Sequence, residues 1–222
     1  MIPLGYYIVN MGHREQDCPP GYITVSGCLC NGDLPGDFLS ENQEEETMRK
    51  WRLSSQCFKR IVDAVLDSCR SINYEFLTNF ADYGAARQIL NSFFSGRTDV
   101  QLIGLCTNDR GFLENAMIQR VSPLPSHAVL LGWDLYEYGD YPLKDDGGPL
   151  PPMDYNHKLV AGLGCTFWCC DAKGELPQRL GIQLNANGMY PDALSAAKAA
   201  EIVNKERLGE PCHYLPFALF RC

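Results

Sequence analysis

Cysteine and histidine are the residues of this chain with the widest chemical range. The sequence has 11 cysteines and four histidines, which are His13, His127, His157 and His213. A nucleophilic thiol needs a base such as histidine within hydrogen-bonding reach. Cys106 and Cys165 are the cysteines considered for such a pair, but no familiar catalytic signature surrounds any cysteine. The pattern favours reduced, buried thiols that pack as small hydrophobes, and no residue is assigned as catalytic.

Metal and cofactor sites have weak support in the sequence. Zinc usually takes four ligands in closely spaced pairs. Cys28 and Cys30 are separated by one residue, which is tighter than usual, and the other thiols form a loose set: Cys165, Cys169, Cys170 and Cys212, with His213. The Asp-rich loop that binds calcium is absent from the sequence. We therefore predict neither a metal nor a cofactor.

Acid–base catalysis and phosphate binding are also poorly supported. Glu44-Glu45-Glu46 and Asp145-Asp146 are adjacent carboxylates, but their polar surroundings favour ordinary solvated acids. The chain has no glycine-rich nucleotide-binding motif. Basic residues cluster between Arg49 and Arg60, but the neighbouring glutamates weaken any field that would attract phosphates. We therefore expect no binding to nucleic acid.

The excess negative charge of the chain lies in two short acidic segments. Residues 33–46 contain six acids and no base, and residues 134–154 contain six acids and one lysine. The formal net charge is −8, so the remainder of the chain is slightly basic. Acids gathered beside tyrosines are typical of a docking surface for a basic protein. The residues predicted to bind a partner are Tyr136, Glu137, Tyr138, Asp140, Tyr141, Asp145, Asp146, Asp154 and Tyr155, together with Glu44 and Glu45.

Length and composition indicate one globular domain. A chain of 222 residues can bury a sizeable core. We predict a single domain over residues 1–222, with a possible subdivision near 121–127. The sequence has no export signal and no apolar stretch long enough to cross a membrane, so we expect a cytoplasmic protein that makes no membrane contact.

Hydrophobic periodicity alternates between strands and helices along the chain. Strands are predicted at Tyr6–Val9, 22–30, Val100–Cys106, 128–138, 180–184 and 214–220. Val129, Leu131, Trp133 and Leu135 should share one side of their strand. One helix should follow Ser40, or two if the chain breaks at residues 53–55 and Ser54 or Ser55 caps the second. Others should cover 85–94 and the alanine-rich stretch that has Pro191 in its first turn and that Gly209 closes. These elements predict an α+β fold: a mixed, mostly antiparallel sheet with a helical layer on one face.

Three strings in the second half of the chain resemble a known class of proteins. They are the seven residues from Gly132 to Tyr138, the seven from Leu184 to Tyr190, and the run from Glu210 to Arg221 that follows an alanine-rich helix. The pattern is similar to that of immunity proteins encoded beside bacterial polymorphic toxins. The resemblance covers roughly residues 128–222 and implies a cytoplasmic inhibitor that binds a toxin domain. It transfers no individual binding residue.

The sequence thus favours a non-catalytic immunity protein that neutralises a basic toxin domain, such as a nuclease, through acidic and tyrosine-rich surfaces. Two alternatives stay open. One is a hydrolase or transferase that uses a cysteine or a carboxylate. The other is a scaffold subunit that associates through residues 214–220, if they form an unpaired edge strand. Self-association is left undecided.

Overall fold

The computed structural model describes residues 1–12, 32–39, 43–68, 72–73, 79–109, 121–138, 175–208 and 213–222. The strands are β1 (Ile2–Asn10), β2 (Gly32–Leu34), β3 (Ile72–Asn73), β4 (Asn79–Phe80), β5 (Val100–Thr107), β6 (Val129–Tyr138) and β7 (His213–Arg221). The helices are α1 (Gly36–Leu39), α2 (Glu44–Trp51), α3 (Ser55–Asp67), α4 (Tyr83–Phe93), α5 (Glu175–Arg179) and α6 (Ala193–Glu206). The predicted strand at 22–30 lies outside the described residues.

The described strands form one sheet in the order β3-β4-β1-β5-β7-β6, and β2 pairs with β1 beside β4. All the described pairings are antiparallel. Strand β7 pairs with β5 on one side and with β6 on the other. The scaffold alternative required residues 214–220 to be an unpaired edge strand, and this condition is not met, because β7 lies inside the sheet. Strands from both sides of residues 121–127 belong to this sheet.

One face of the sheet carries the helical layer. The first core cluster packs α1 to α4 against Tyr6 and Ile8 of β1. The second packs the small side chains of α6 against β6 and β7, around Trp133. Leu124 and Cys222 contact both clusters, so the two lie on the same face. This arrangement confirms the predicted α+β class with a helical layer on one face.

The opposite face of the sheet is also buried. Tyr7 and Val9 of β1, Ile103 and Leu105 of β5 and Phe217 of β7 each expose 2% of their surface or less. Period-two alternation places these residues on the side away from Tyr6 and Ile8. Sequence patterning predicted one covered face. The uninterrupted apolar runs of β1 and β5 reflect burial on both faces.

The predicted helix break and serine cap are confirmed at the level of single atoms, and the structure adds a second cap of the same kind. The chain breaks after α2, and the hydroxyl of Ser54 accepts the backbone N–H of Cys57 at 3.2 Å to cap α3. Asp82 caps α4 by accepting the N–H of Ala85 at 2.8 Å. These short polar side chains satisfy helix N–H groups that have no partner within the helix.

Four local predictions were wrong. Residues 180–184 form no strand, because α5 runs to Arg179 and the chain turns immediately after it. Helix α6 begins after its N-cap Asp192, so Pro191 precedes the helix. It ends at Glu206 with Arg207 in the left-handed conformation, before Gly209. Val129 is 59% exposed because a bulge between Leu130 and Gly132 shifts the alternation of β6.

Candidate functional site

The first turn of α2 presents three consecutive carboxylates to solvent. Glu44, Glu45 and Glu46 are all exposed there. With Gln43 and Arg49 they line an open depression of about 610 Å³. Acidic side chains are favoured at the first turn because the helix dipole is positive at that end. This group, Glu44 to Glu46, is called the acidic turn below.

The C-terminal end of α2 is held against the sheet by side chains from other elements. The amide of Asn10, the last residue of β1, donates to the backbone oxygen of Lys50 at 2.8 Å. The guanidinium of Arg97 donates to the backbone oxygen of Trp51 at 2.6 Å and forms a bidentate ion pair with Asp99. These bonds satisfy carbonyls that a helix end leaves without partners. They also fix the axis of α2 relative to β1.

Asp37 of α1 holds the side of α2 that faces the core. One carboxylate oxygen lies 3.1 Å from the ammonium of Lys50, and the other accepts the indole N–H of Trp51 at 2.6 Å. The hydroxyl of Thr47 donates to the backbone oxygen of Asp37 at 3.1 Å. The Lys50 side chain is 5% exposed, so this ion pair is shielded from water. Charge-assisted hydrogen bonds of this kind restrict α2 to one orientation.

Asp33 is buried beside this group, with 8% of its surface exposed. Burial, with a smaller contribution from the nearby charge of Asp37, raises the pKa of its carboxyl to about 8. The Lys50 ammonium and the backbone N–H of Gly36, which the carboxyl accepts, act in the opposite direction. The group therefore holds a proton at neutral pH. It lies in β2 and bonds Gly36 across the turn at Pro35, which makes it a structural acid of the β2–α1 connection.

The acidic segment 33–46 is therefore divided between core and surface. Asp33 and Asp37 face inward, which corrects the prediction that the acids of this segment form one docking surface. The carboxyl of Asp33 accepts the N–H of Gly36, and the carboxylate of Asp37 bonds Lys50 and Trp51. Glu44 and Glu45 lie on the surface, as predicted. The repeated Gly-Asp dipeptide around Leu34-Pro35 is a turn signal that could have identified the buried pair.

One tyrosine of the second predicted surface, in residues 134–155, lies in the core. Tyr136 is completely buried and packs edge-on against Phe217 with ring centroids 5.8 Å apart, so the prediction that it contacts a partner is wrong. The reason is that β6 is covered on both faces where it crosses the core. Glu137 and Tyr138 are the last residues of β6, and the structure describes only their backbone. Outside the described residues are Asp140, Tyr141, Asp145, Asp146, Asp154 and Tyr155.

The described parts of the two acidic segments are attached at opposite ends of the sheet. Helix α2 is bonded to Asn10, at the end where Val129 and Arg221 pair. Tyr138 pairs with His213 at the other end, where Ile2 pairs with Thr107. The acidic turn and the end of β6 therefore do not share one local patch.

The thiol chemistry considered from the sequence fails at Cys106. Its side chain is buried, and burial raises the pKa of its thiol to about 12. A thiolate is the nucleophilic form of cysteine, so Cys106 is unreactive at neutral pH. His127 contacts the hydroxyl of Tyr83 at 3.4 Å. The other cysteines considered, Cys28, Cys30, Cys165, Cys169, Cys170 and Cys212, lie outside the described residues, as do His13 and His157.

No three residues among the described histidines, cysteines and acids are grouped to hold a metal ion. None of the described helices has the length and apolar character that a membrane span requires. Comparison with models of protein families, with curated proteins and with solved structures found no match to this chain.

Proposed function

We propose that this protein is a cytoplasmic immunity protein that binds a basic toxin domain, such as a nuclease, and neutralises it without catalysing a reaction. The acidic turn is the surface that supports this proposal best. Three exposed glutamates in one turn oppose a cationic substrate groove with little change of conformation. The resemblance in residues 128–222 points to the same class of protein.

The rigid attachment of α2 is what suits the acidic turn to binding. Asn10, Arg97 and Asp37 fix the helix before any partner arrives. A preorganised surface loses less conformational entropy on binding than a mobile one. The segment from Glu137 to Tyr155 remains a predicted second contact, with Tyr138, Tyr141 and Tyr155 as aromatic anchors.

The experiment compares two double charge reversals on neighbouring helices. Glu44→Lys with Glu45→Lys reverses the acidic turn, whereas Asp63→Lys with Asp67→Lys makes the same charge change on exposed positions of α3. Association with the toxin domain encoded beside this protein is measured by stopped-flow fluorescence at rising salt. We expect the first variant to associate about tenfold more slowly at low salt and the second to behave like wild type.

Two results would contradict the proposal. One is that the toxin domain fails to bind the wild-type protein. The other is that both variants bind equally well and salt has no effect. A parallel variant with Asp140, Asp145 and Asp146 changed to lysine tests the second predicted surface in the same assay.

A further inference from the structure

Strand β6 is the last strand in the described order of the sheet. Such a strand carries outward-facing N–H and C=O groups that invite pairing with a strand of another molecule. Val129 and Leu130, at its start, are 59% and 40% exposed and are among the few large apolar side chains that the described surface presents. The strand therefore combines polar backbone and apolar side chains at one border of the sheet.

The turn from Asn185 to Tyr190 satisfies the outward-facing groups in the middle of β6. The side-chain amides of Asn185 and Asn187 both donate to the backbone oxygen of Leu131, at 2.8 and 2.9 Å. Trp133 exchanges two backbone hydrogen bonds with Tyr190, each of 2.9 Å. Beyond them, the backbone N–H of Leu135 donates to the carboxylate of Asp134 at 2.8 Å. Side chains and a one-residue bridge thus take the place of a neighbouring strand.

The turn is built to fit this border. The Asn185 side-chain oxygen accepts the N–H groups of Asn187 and Met189, and Gly188 adopts the left-handed conformation that closes the turn. Gly132 leaves room for it: a Cβ at that position would lie 2.5 Å from the Cβ of Met189. Since only glycine admits such an approach, the sequences of strand and turn depend on each other.

We propose that the Asn185–Tyr190 turn is an edge cap that prevents β6 from pairing with β6 of a second copy of this chain. An antiparallel strand related by a two-fold axis presents donors opposite acceptors, so the outer border of β6 would be complementary to itself without the turn. Pairing would also cover Val129 and Leu130. The second copy is always present at the protein's own concentration, which makes it the partner that the cap must exclude.

Asn187→Ala is the mildest test. It removes one of the two side-chain amides that donate to the backbone oxygen of Leu131. The bond from the backbone N–H of residue 187 to Asn185 stays. Asn185→Ala with Asn187→Ala removes both amides. Asn91→Ala, at an exposed position of α4, is the matched control. Light scattering after size-exclusion chromatography gives the mass, and hydrogen exchange follows the Trp133 amide.

We expect wild type and Asn91→Ala to be monomers, Asn187→Ala to dimerise as concentration rises, and the double variant to dimerise more strongly. In dilute Asn187→Ala the Trp133 amide should exchange about tenfold faster than in wild type. Adding Leu130→Lys, which places charge at the border, should restore the monomer. A wild-type dimer, or an Asn187→Ala protein that stays monomeric at every concentration, would overturn the proposal. Asn187→Ala alone decides the matter if circular dichroism shows that the double variant does not fold.

Discussion

Replacing Asp33 by asparagine should stabilise this protein, and the gain should grow with pH. The carboxyl is buried with a pKa of about 8, whereas an unfolded aspartate titrates at 3.8. Between these values the folded protein holds a proton that the unfolded chain releases. The contribution of Asp33 to the free energy of unfolding is therefore fully present below pH 4 and is lost as the pH rises through 8. Asparagine has a similar shape and can still accept the N–H of Gly36 without carrying charge.

The expected magnitude follows from the distance between the two pKa values. Each unit corresponds to about 1.4 kcal/mol, so at pH 7 the wild-type protein loses up to about 4 kcal/mol that the variant keeps. Relaxation of the structure around the carboxyl makes the true difference in stability smaller than this upper limit. A difference of about 2 kcal/mol between variant and wild type would still support the reasoning. Below pH 4 the two proteins should be equally stable, since both folded and unfolded wild-type chains then hold the proton.

Urea denaturation monitored by tryptophan fluorescence at pH 4, 6 and 8 measures the difference. Asp63→Asn, at an exposed position of α3, is the control and should show no pH-dependent gain. The reasoning is refuted if the difference between wild type and Asp33→Asn does not change with pH, or if the variant is the less stable protein at pH 8.

Three further predictions concern the core. Asp37→Ala leaves the Lys50 ammonium buried without its partner and should cost about 3 kcal/mol in urea denaturation, more than Asp63→Ala. Tyr136→Ala should lower stability by about 3 kcal/mol or more, because the ring is fully buried against Phe217; a folded Tyr136→Ala protein that loses toxin binding alone would contradict this. Native maleimide labelling followed by mass spectrometry should modify the half-buried Cys57 at least about tenfold faster than Cys106, and equal rates would disprove the burial argument.

Local signals predicted the regular elements well. Short polar side chains favour the capping position, so the sequence predicts Ser54 or Ser55 as a cap, and Ser54 caps α3. The apolar runs of β5 and β7 located both strands. The error at residues 180–184 has a physical origin. Their alternating pattern resembles a strand, but the border of β6 is satisfied by Asn185, Asn187 and Tyr190 instead.

The candidate site was harder to predict because a sequence does not show whether a charged side chain faces the core or the solvent. Asp37 and Glu44 lie in the same acidic segment, yet one bonds the Trp51 indole in the core and the other faces solvent. That difference depends on where α1 and α2 meet, which is a tertiary property. Two of the three strings that resemble immunity proteins lie against each other in the structure. The first contains Gly132 and Trp133, the second contains Asn185 and Tyr190, and they meet at the border of β6.

The position of β7 bears on how the chain folds during synthesis. Within the described sheet, β6 reaches β5 only through β7, which is made after both of them. In a nascent chain, β6 and α6 therefore stay separate from β5 until residue 221 has left the ribosome. The reason is that a domain can complete its packing only after all the strands it needs have been synthesised. A premature stop codon shortly before β7 would remove the strand that connects β6 to β5. The truncated product would be a substrate for cellular proteases.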